Sequence, residues 1–114
     1  MRVLITGATG FVGRFVADHL AETDPSAEVW GLVWSGGSRQ LPASVTAVSG
    51  DLTVRSSLDE AIRTCRPEVV VHLASASSVA LSWKDPQRYL ETNLAGTISL
   101  FEAILGAGLG PRVV

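Results

Sequence analysis

One cysteine, Cys65, stands in 114 residues. No internal disulfide can form from it, and no cysteine-based metal centre can be assembled around it. A reducing cytoplasm is therefore the expected compartment. His19 is read as a packed or edge histidine rather than a ligand, and no metal is expected. No apolar run approaches the roughly 20 residues of a membrane span. Met1 leads almost directly into an apolar strand, unlike a secretory signal. The formal charge of −2 gives no reason to expect a nucleic-acid or membrane-surface partner. Internal repeats and low-complexity linkers are absent, so the chain fits one small domain, residues 1–114, or part of a larger one.

What is present is apolar and periodic. Hydrophobic residues make up 46% of the chain, enough for a buried core. Residues 2–6 (Arg-Val-Leu-Ile-Thr) are a short apolar run with β-branched members, as in a strand. The turn Gly7-Ala8-Thr9-Gly10-Phe11-Val12-Gly13 follows without a gap, and a helical pattern begins inside it. Strand, glycine turn and helix are the arrangement that holds a dinucleotide pyrophosphate at the helix N-terminus; the alternative is a tight βα turn that binds nothing. Gly7 suits a sharp turn at positive φ. Gly10 lets backbone approach a phosphate, and Gly13 lets the helix pack closely on the strand. The spacing is G-x-x-G-x-x-G rather than the commoner G-x-G-x-x-G.

Residues 6–13, Thr-Gly-Ala-Thr-Gly-Phe-Val-Gly, resemble the opening of the extended short-chain dehydrogenase/reductase family, which includes nucleotide-sugar epimerases, dehydratases and reductases. The resemblance implies a cofactor contact from Gly7, Thr9, Gly10, Phe11, Val12 and Gly13. The rest of the chain extends it.

A second strand is expected over 28–34. Its end discriminates cofactors, because an Asp or Glu there hydrogen-bonds the adenosine ribose and favours NAD. The segment carries Ser35 and Arg39 and no acid. Small hydroxyls and a cation suit a 2′-phosphate, so NADP is the expected cofactor, with NAD second. The alternative is a polar loop in which Arg39 is a solvated charge. A third strand is expected over 44–49. The resemblance makes Asp51 and Leu52 adenine contacts; Asp51 is equally suited to cap the next helix. A fourth strand over 68–74 is apolar enough to be buried on both faces. It ends in His72-Leu73-Ala74-Ser75, similar to the H-L-A-A of the extended family. The resemblance places Leu73, Ala74, Ser75 and Ser77 along the cofactor and keeps His72 structural.

Residues 77–86 read S-x-V-x-x-S-W-x-x-P and resemble the GDP-mannose 4,6-dehydratases and GDP-4-keto-6-deoxymannose reductases, with Ser77 touching cofactor or substrate. Ala76 departs from the Gln or Glu common there. Tyr89 lies one place after the family's cofactor-binding tyrosine, and Arg88 holds its position. Asn93, in an N-x-x-G-T run with Gly96 and Thr97, is implied to order active-site backbone.

Three apolar stripes predict core faces: Phe11, Val12, Phe15, Val16, His19 and Leu20; Leu58, Ala61, Ile62 and Cys65; and Leu90, Leu94, Ile98, Phe101 and Leu105 on a long helix over 89–107. Alternating strands and helices predict an α/β, Rossmann-type three-layer fold. Its parallel sheet is expected in the order 3-2-1-4-5, incomplete at the C-terminus, where a fifth strand begins at Arg112.

The family's catalytic Ser/Thr and Tyr-x-x-x-Lys are expected beyond Val114, so no catalytic residue is assigned in this chain. The substrate lobe is expected there too. The 114 residues are read as the amino-terminal piece of a longer enzyme, inactive alone. That enzyme is expected to be an NADP-dependent nucleotide-sugar dehydratase, epimerase or reductase. Its expected substrate is a GDP-hexose, and a homodimer is a family-level expectation. The alternatives are a ketone or aldehyde reductase of the same fold and a non-catalytic NADP(H)-binding protein.

Overall fold

A strand can be buried on both faces only if it lies between neighbours and helices cover both sides. The chain's first strand meets that condition. The structure, a computed structural model, describes residues 1–35 and 40–114. Strand β1 (Arg2–Thr6) leads into helix α1 (Phe11–Thr23), then β2 (Glu28–Val33) and β3 (Thr46–Ser49). Helix α2 (Arg55–Cys65) precedes β4 (Val69–His72); short helices α3 (Val79–Ser82) and α4 (Pro86–Leu90) follow. A π-helical turn, Glu91–Ala95, runs into α5 (Gly96–Gly106), and β5 is Arg112–Val113.

All pairings are parallel, and the sheet order is β3-β2-β1-β4-β5. Side chains alternate across β1. Leu4 faces a core built with Leu58, Ile62, Cys65, Val70 and Leu100 from α2, β4 and α5. Val3 and Ile5 face the other side, with Ala8, Ala17 and Val29. The three-layer order expected from the sequence is the one observed. Strand β4 differs from its expectation. Val70 is buried, but Val69 and Val71 are only half-buried, because α1 covers that face incompletely.

Two of the three predicted core stripes are corrected. Leu58, Ala61, Ile62 and Cys65 are buried as expected. In α1, Val16 and Leu20 are half-buried and pack on the core as expected, whereas Phe11, Val12, Phe15 and His19 are exposed and the buried residues are Gly13 and Ala17. On the last helix Leu90, Leu94, Ile98, Phe101 and Leu105 are all exposed, and Gly96, Leu100, Ala103 and Ile104 are buried. The physical reason is close approach. A Cβ on Gly96 would stand 2.9 Å from the Leu52 Cβ. That contact fixes the rotation of the helix, so Leu100, Ala103 and Ile104 follow Gly96 into the core and the Leu90–Leu105 stripe faces out.

Burial also decides what Cys65 can do. The thiol is free, and burial pushes its pKa up to about 11, so it is not a thiolate at neutral pH. Iodoacetamide at pH about 8 is expected to leave Cys65 unmodified in the folded chain and to alkylate it after urea unfolding, as read by mass.

Candidate functional site

The sheet order reverses direction between β1 and β4, and open α/β sheets bind ligands at the carboxyl ends of the strands beside such a point. A groove of about 840 Å³ lies there, lined from the ends of β1, β2, β3 and β4.

Its floor is the glycine turn. Gly7 leaves β1 at φ +73°, and a Cβ there would meet Ala74 N at 2.9 Å. Gly10 donates its N–H to the Gly7 carbonyl at 2.9 Å, and Arg14 N–H to the Gly10 carbonyl closes the first turn of α1. No side chain caps α1 and no acid sits in its first turn. The uncapped amides and the positive end of the helix therefore face the groove, the arrangement an anion requires. Gly13 is the contact point: a Cβ there would overlap the Gly7 carbonyl oxygen and lie 2.8 Å from Ala8 Cα.

The groove gathers most of the residues singled out from sequence: Gly7, Thr9, Gly10, Phe11, Val12 and Gly13, then Asp51 and Leu52, then Leu73, Ala74, Ser75 and Ser77. Ser35 is exposed and does not line it. Arg39 lies outside the described residues. Asn93 stands one layer behind. Its side chain accepts from Ala76 N–H at 2.7 Å and donates to the Ala76 carbonyl at 2.8 Å. Asp51 does not cap α2, whose N-cap is Val54. Its Oδ1 instead accepts from Thr53 N–H (2.8 Å) and Thr53 Oγ1–H (2.7 Å), closing the turn before the helix.

The groove also holds Arg88, at the position of the family's cofactor-binding tyrosine, and residues that no sequence motif marked, among them Trp34, Thr53, Glu91 and Thr92. Trp34 extends past the end of β2, a position whose chemistry matters in any fold with a cofactor at this edge. Arg88 faces the groove because Tyr89 turns away and donates its hydroxyl to the Ser78 carbonyl at 2.7 Å.

Under the floor lies a polar cluster. Thr6, fully buried, places Oγ1 2.6 Å from His72 Nδ1. His72 Nε2 lies 2.9 Å from Thr97 Oγ1. Burial pushes the His72 ring below the ordinary imidazole range, so it is neutral at pH 7. Among the described residues no group of three His, Cys, Asp or Glu side chains could hold a metal, and no helix is long and apolar enough to cross a membrane.

A parallel 3-2-1-4-5 sheet with a glycine turn at its switch point defines a Rossmann-type nucleotide-binding unit. Residues 3–114 match the NAD dependent epimerase/dehydratase family, and the chain belongs to that family. It is 32% identical over 109 residues to the UDP-glucose 4-epimerase of Streptomyces lividans, covering 95% of this chain and 33% of that protein. It is also 32% identical over 123 residues to the dTDP-glucose 4,6-dehydratase of Streptomyces antibioticus, covering 99% and 36%. Among solved structures, the Thermus thermophilus UDP-glucose 4-epimerase complex with NAD superposes with a TM-score of 0.84. Its identity is 33%, over 96% of this chain and 35% of that one. The Thermotoga maritima UDP-glucose 4-epimerase with UDP-glucose gives 0.83 at 29%, again over 96% and 35%. The chain thus spans about a third of the length of the curated relatives it matches.

Proposed function

We propose that residues 1–114 form the cofactor-binding part of a nucleotide-sugar epimerase, dehydratase or reductase that works by hydride transfer. The observation that carries this is the uncapped N-terminus of α1 behind the Gly7 turn, opening on a groove at the sheet's switch point. In this reading Gly7, Thr9, Gly10, Phe11, Val12 and Gly13 cradle the pyrophosphate. Asp51 and Leu52 border the adenine. Leu73, Ala74, Ser75 and Ser77 follow the cofactor toward the nicotinamide, and Asn93 holds the backbone of Ala76. The cofactor supplies the hydride, and this chain's residues bind it and orient it.

The finer reading is NADP over NAD. The end of β2 contributes Leu32, Val33 and Trp34 to the groove and no carboxylate, so nothing there matches the acid that accepts from a ribose 2′-hydroxyl. Arg39, outside the described residues, supplies the cation for a 2′-phosphate. Two similar solved structures, the Thermus enzyme and Bordetella bronchiseptica WbmG at 27% identity, are complexes with NAD, so the NADP reading sets this chain apart from those. The residues at 77–86 support a GDP-hexose as substrate, whereas the relatives named above carry UDP- and dTDP-sugar names.

Titration of the full chain with NADPH and NADH tests the cofactor, read by Trp34 fluorescence quenching against a W34F control. NADPH is expected to bind about tenfold more tightly, a difference of roughly 1.4 kcal/mol, and R39A to remove that preference. Equal affinities, or tighter NADH, overturn the NADP assignment. Binding of neither overturns the cofactor reading. Turnover of GDP-, UDP- and dTDP-hexoses by the longer protein containing this chain decides the substrate.

A further inference from the structure

The polar cluster beneath the groove favours one assignment of protons. Thr6 Oγ1 accepts from Leu73 N–H at 3.1 Å and from Ala74 N–H at 3.0 Å. A hydroxyl has two acceptor sites and one proton. Both sites are used, so the Thr6 proton goes to His72 Nδ1 at 2.6 Å. Nδ1 is then the acceptor, the ring proton sits on Nε2, and it donates to Thr97 Oγ1 at 2.9 Å. Thr97 passes its own proton to the Asn93 carbonyl at 2.7 Å. Asn93 belongs to the π-helical turn and clamps Ala76 through both atoms of its amide. Leu73 N–H is shared with the Thr6 carbonyl at 3.2 Å; every side-chain donor is used once, and the chain of bonds runs one way.

The relay joins four elements, β1, β4, α5 (through Thr97) and the π turn. It starts at the buried end of β1, crosses the end of β4 and ends in the π turn. Thr6 holds the amides of Leu73 and Ala74, and Asn93 holds the backbone of Ala76. The two ends of the relay therefore fix the same short segment from opposite sides. That segment forms one wall of the groove, yet neither His72 nor Thr97 lines it. Hydrogen bonds in series polarise one another, so a break at one link weakens the others. The π turn fits this role: Thr97 and Asn93 are a turn apart, and the wider turn is a recurrent feature of functional positions.

We propose that His72, fixed as the neutral Nε2–H tautomer, is a positioning residue. Through Thr6 on one side and Thr97 and Asn93 on the other, it sets the backbone of residues 73–76 for a bound dinucleotide. The inference rests on the cofactor reading above only for the identity of the ligand; the relay itself stands on the unliganded chain.

The test uses the full chain with 15N-labelled histidine. It has two histidines, and exposed His19 serves as an internal reference for a ring free to average its tautomers. His72 is expected to show the fixed Nε2–H pattern. T97V is expected to keep that pattern, because Thr6 still donates to Nδ1, but to speed exchange of the Ala76 amide about tenfold and to weaken NADPH about tenfold, the size of one lost hydrogen bond. T97S, which keeps the hydroxyl, is expected to stay within about twofold on both counts. An Nδ1–H or averaged His72 in the unmodified chain overturns the proposal, and this reading does not depend on T97V folding. T97V that leaves both Ala76 exchange and NADPH affinity unchanged overturns it too. If the unmodified chain binds neither NADPH nor NADH, the function proposed above fails, and the relay is decided by the tautomer and the Ala76 exchange alone.

Discussion

Gly13→Ala is expected to abolish dinucleotide binding and to lower stability by about 3 kcal/mol. The added methyl would overlap the Gly7 carbonyl oxygen and stand 2.8 Å from Ala8 Cα and 2.9 Å from the Gly7 carbonyl carbon. All three are backbone atoms of the turn. None is the free end of a side chain that could swing away, so either the helix lifts or the turn opens. Both movements displace the amides aimed at the groove. Against this stands the intrinsic gain of alanine over glycine in a helix, about 1 kcal/mol, which is too small to compensate. Gly110→Ala supplies the control. No atom lies within 4 Å of a Cβ there, and its stability is expected to change by less than about 0.5 kcal/mol. Urea unfolding followed by circular dichroism measures both, and NADPH titration measures the loss at the groove. A Gly13→Ala chain with unchanged midpoint and affinity would show that helix and turn are not in tight contact.

The same glycines explain how much of the molecule could be read in advance. The turn from Gly7 to Gly13 was legible because each glycine has a separate steric task, and the structure gives Gly7 and Gly13 the tasks expected of them. The helical stripes were legible as helices and misread as core. Leu90, Leu94, Ile98, Phe101 and Leu105 recur at helical spacing, but periodicity reports that a face is apolar and not which side the sheet occupies. The usable signal lay in the small residues. Gly13 and Ala17 on α1, and Gly96 and Ala103 on α5, mark the faces where backbones approach closely. Trp34, Glu91 and Thr92 escaped notice for another reason. They come from the ends of different elements and share a groove only after the strands have paired. The π turn and the Thr6–His72–Thr97 bonds likewise depend on β1, β4 and α5 being side by side, a relation that no local pattern carries.

Thr6→Val is the second large effect expected, a loss of about 3 kcal/mol. Valine has the shape and β-branching of threonine, so packing and strand preference are kept. Only the hydroxyl goes. Leu73 N–H retains the Thr6 carbonyl at 3.2 Å, but Ala74 N–H and His72 Nδ1 lose the partner that Thr6 Oγ1 provided. Each stranded group costs about 1–3 kcal/mol when water cannot replace the bond. The pH dependence separates this account from a simple packing defect. Burial lowers the folded pKa of His72, so its neutral form is favoured in the folded state and the unfolded chain takes up the proton first. Its contribution is constant above the unfolded value near 6.5 and is lost as pH falls below it toward the lowered folded value. The Thr6 hydroxyl bonds only the neutral ring, so removing it raises the His72 pKa and shrinks that acid loss. The stability gap between the unmodified chain and Thr6→Val is therefore expected to narrow between pH about 7.5 and about 5.5. All other titrating groups cancel in the difference. A gap that stays constant with pH would place the lost energy at the Ala74 amide and leave the His72 ring outside it.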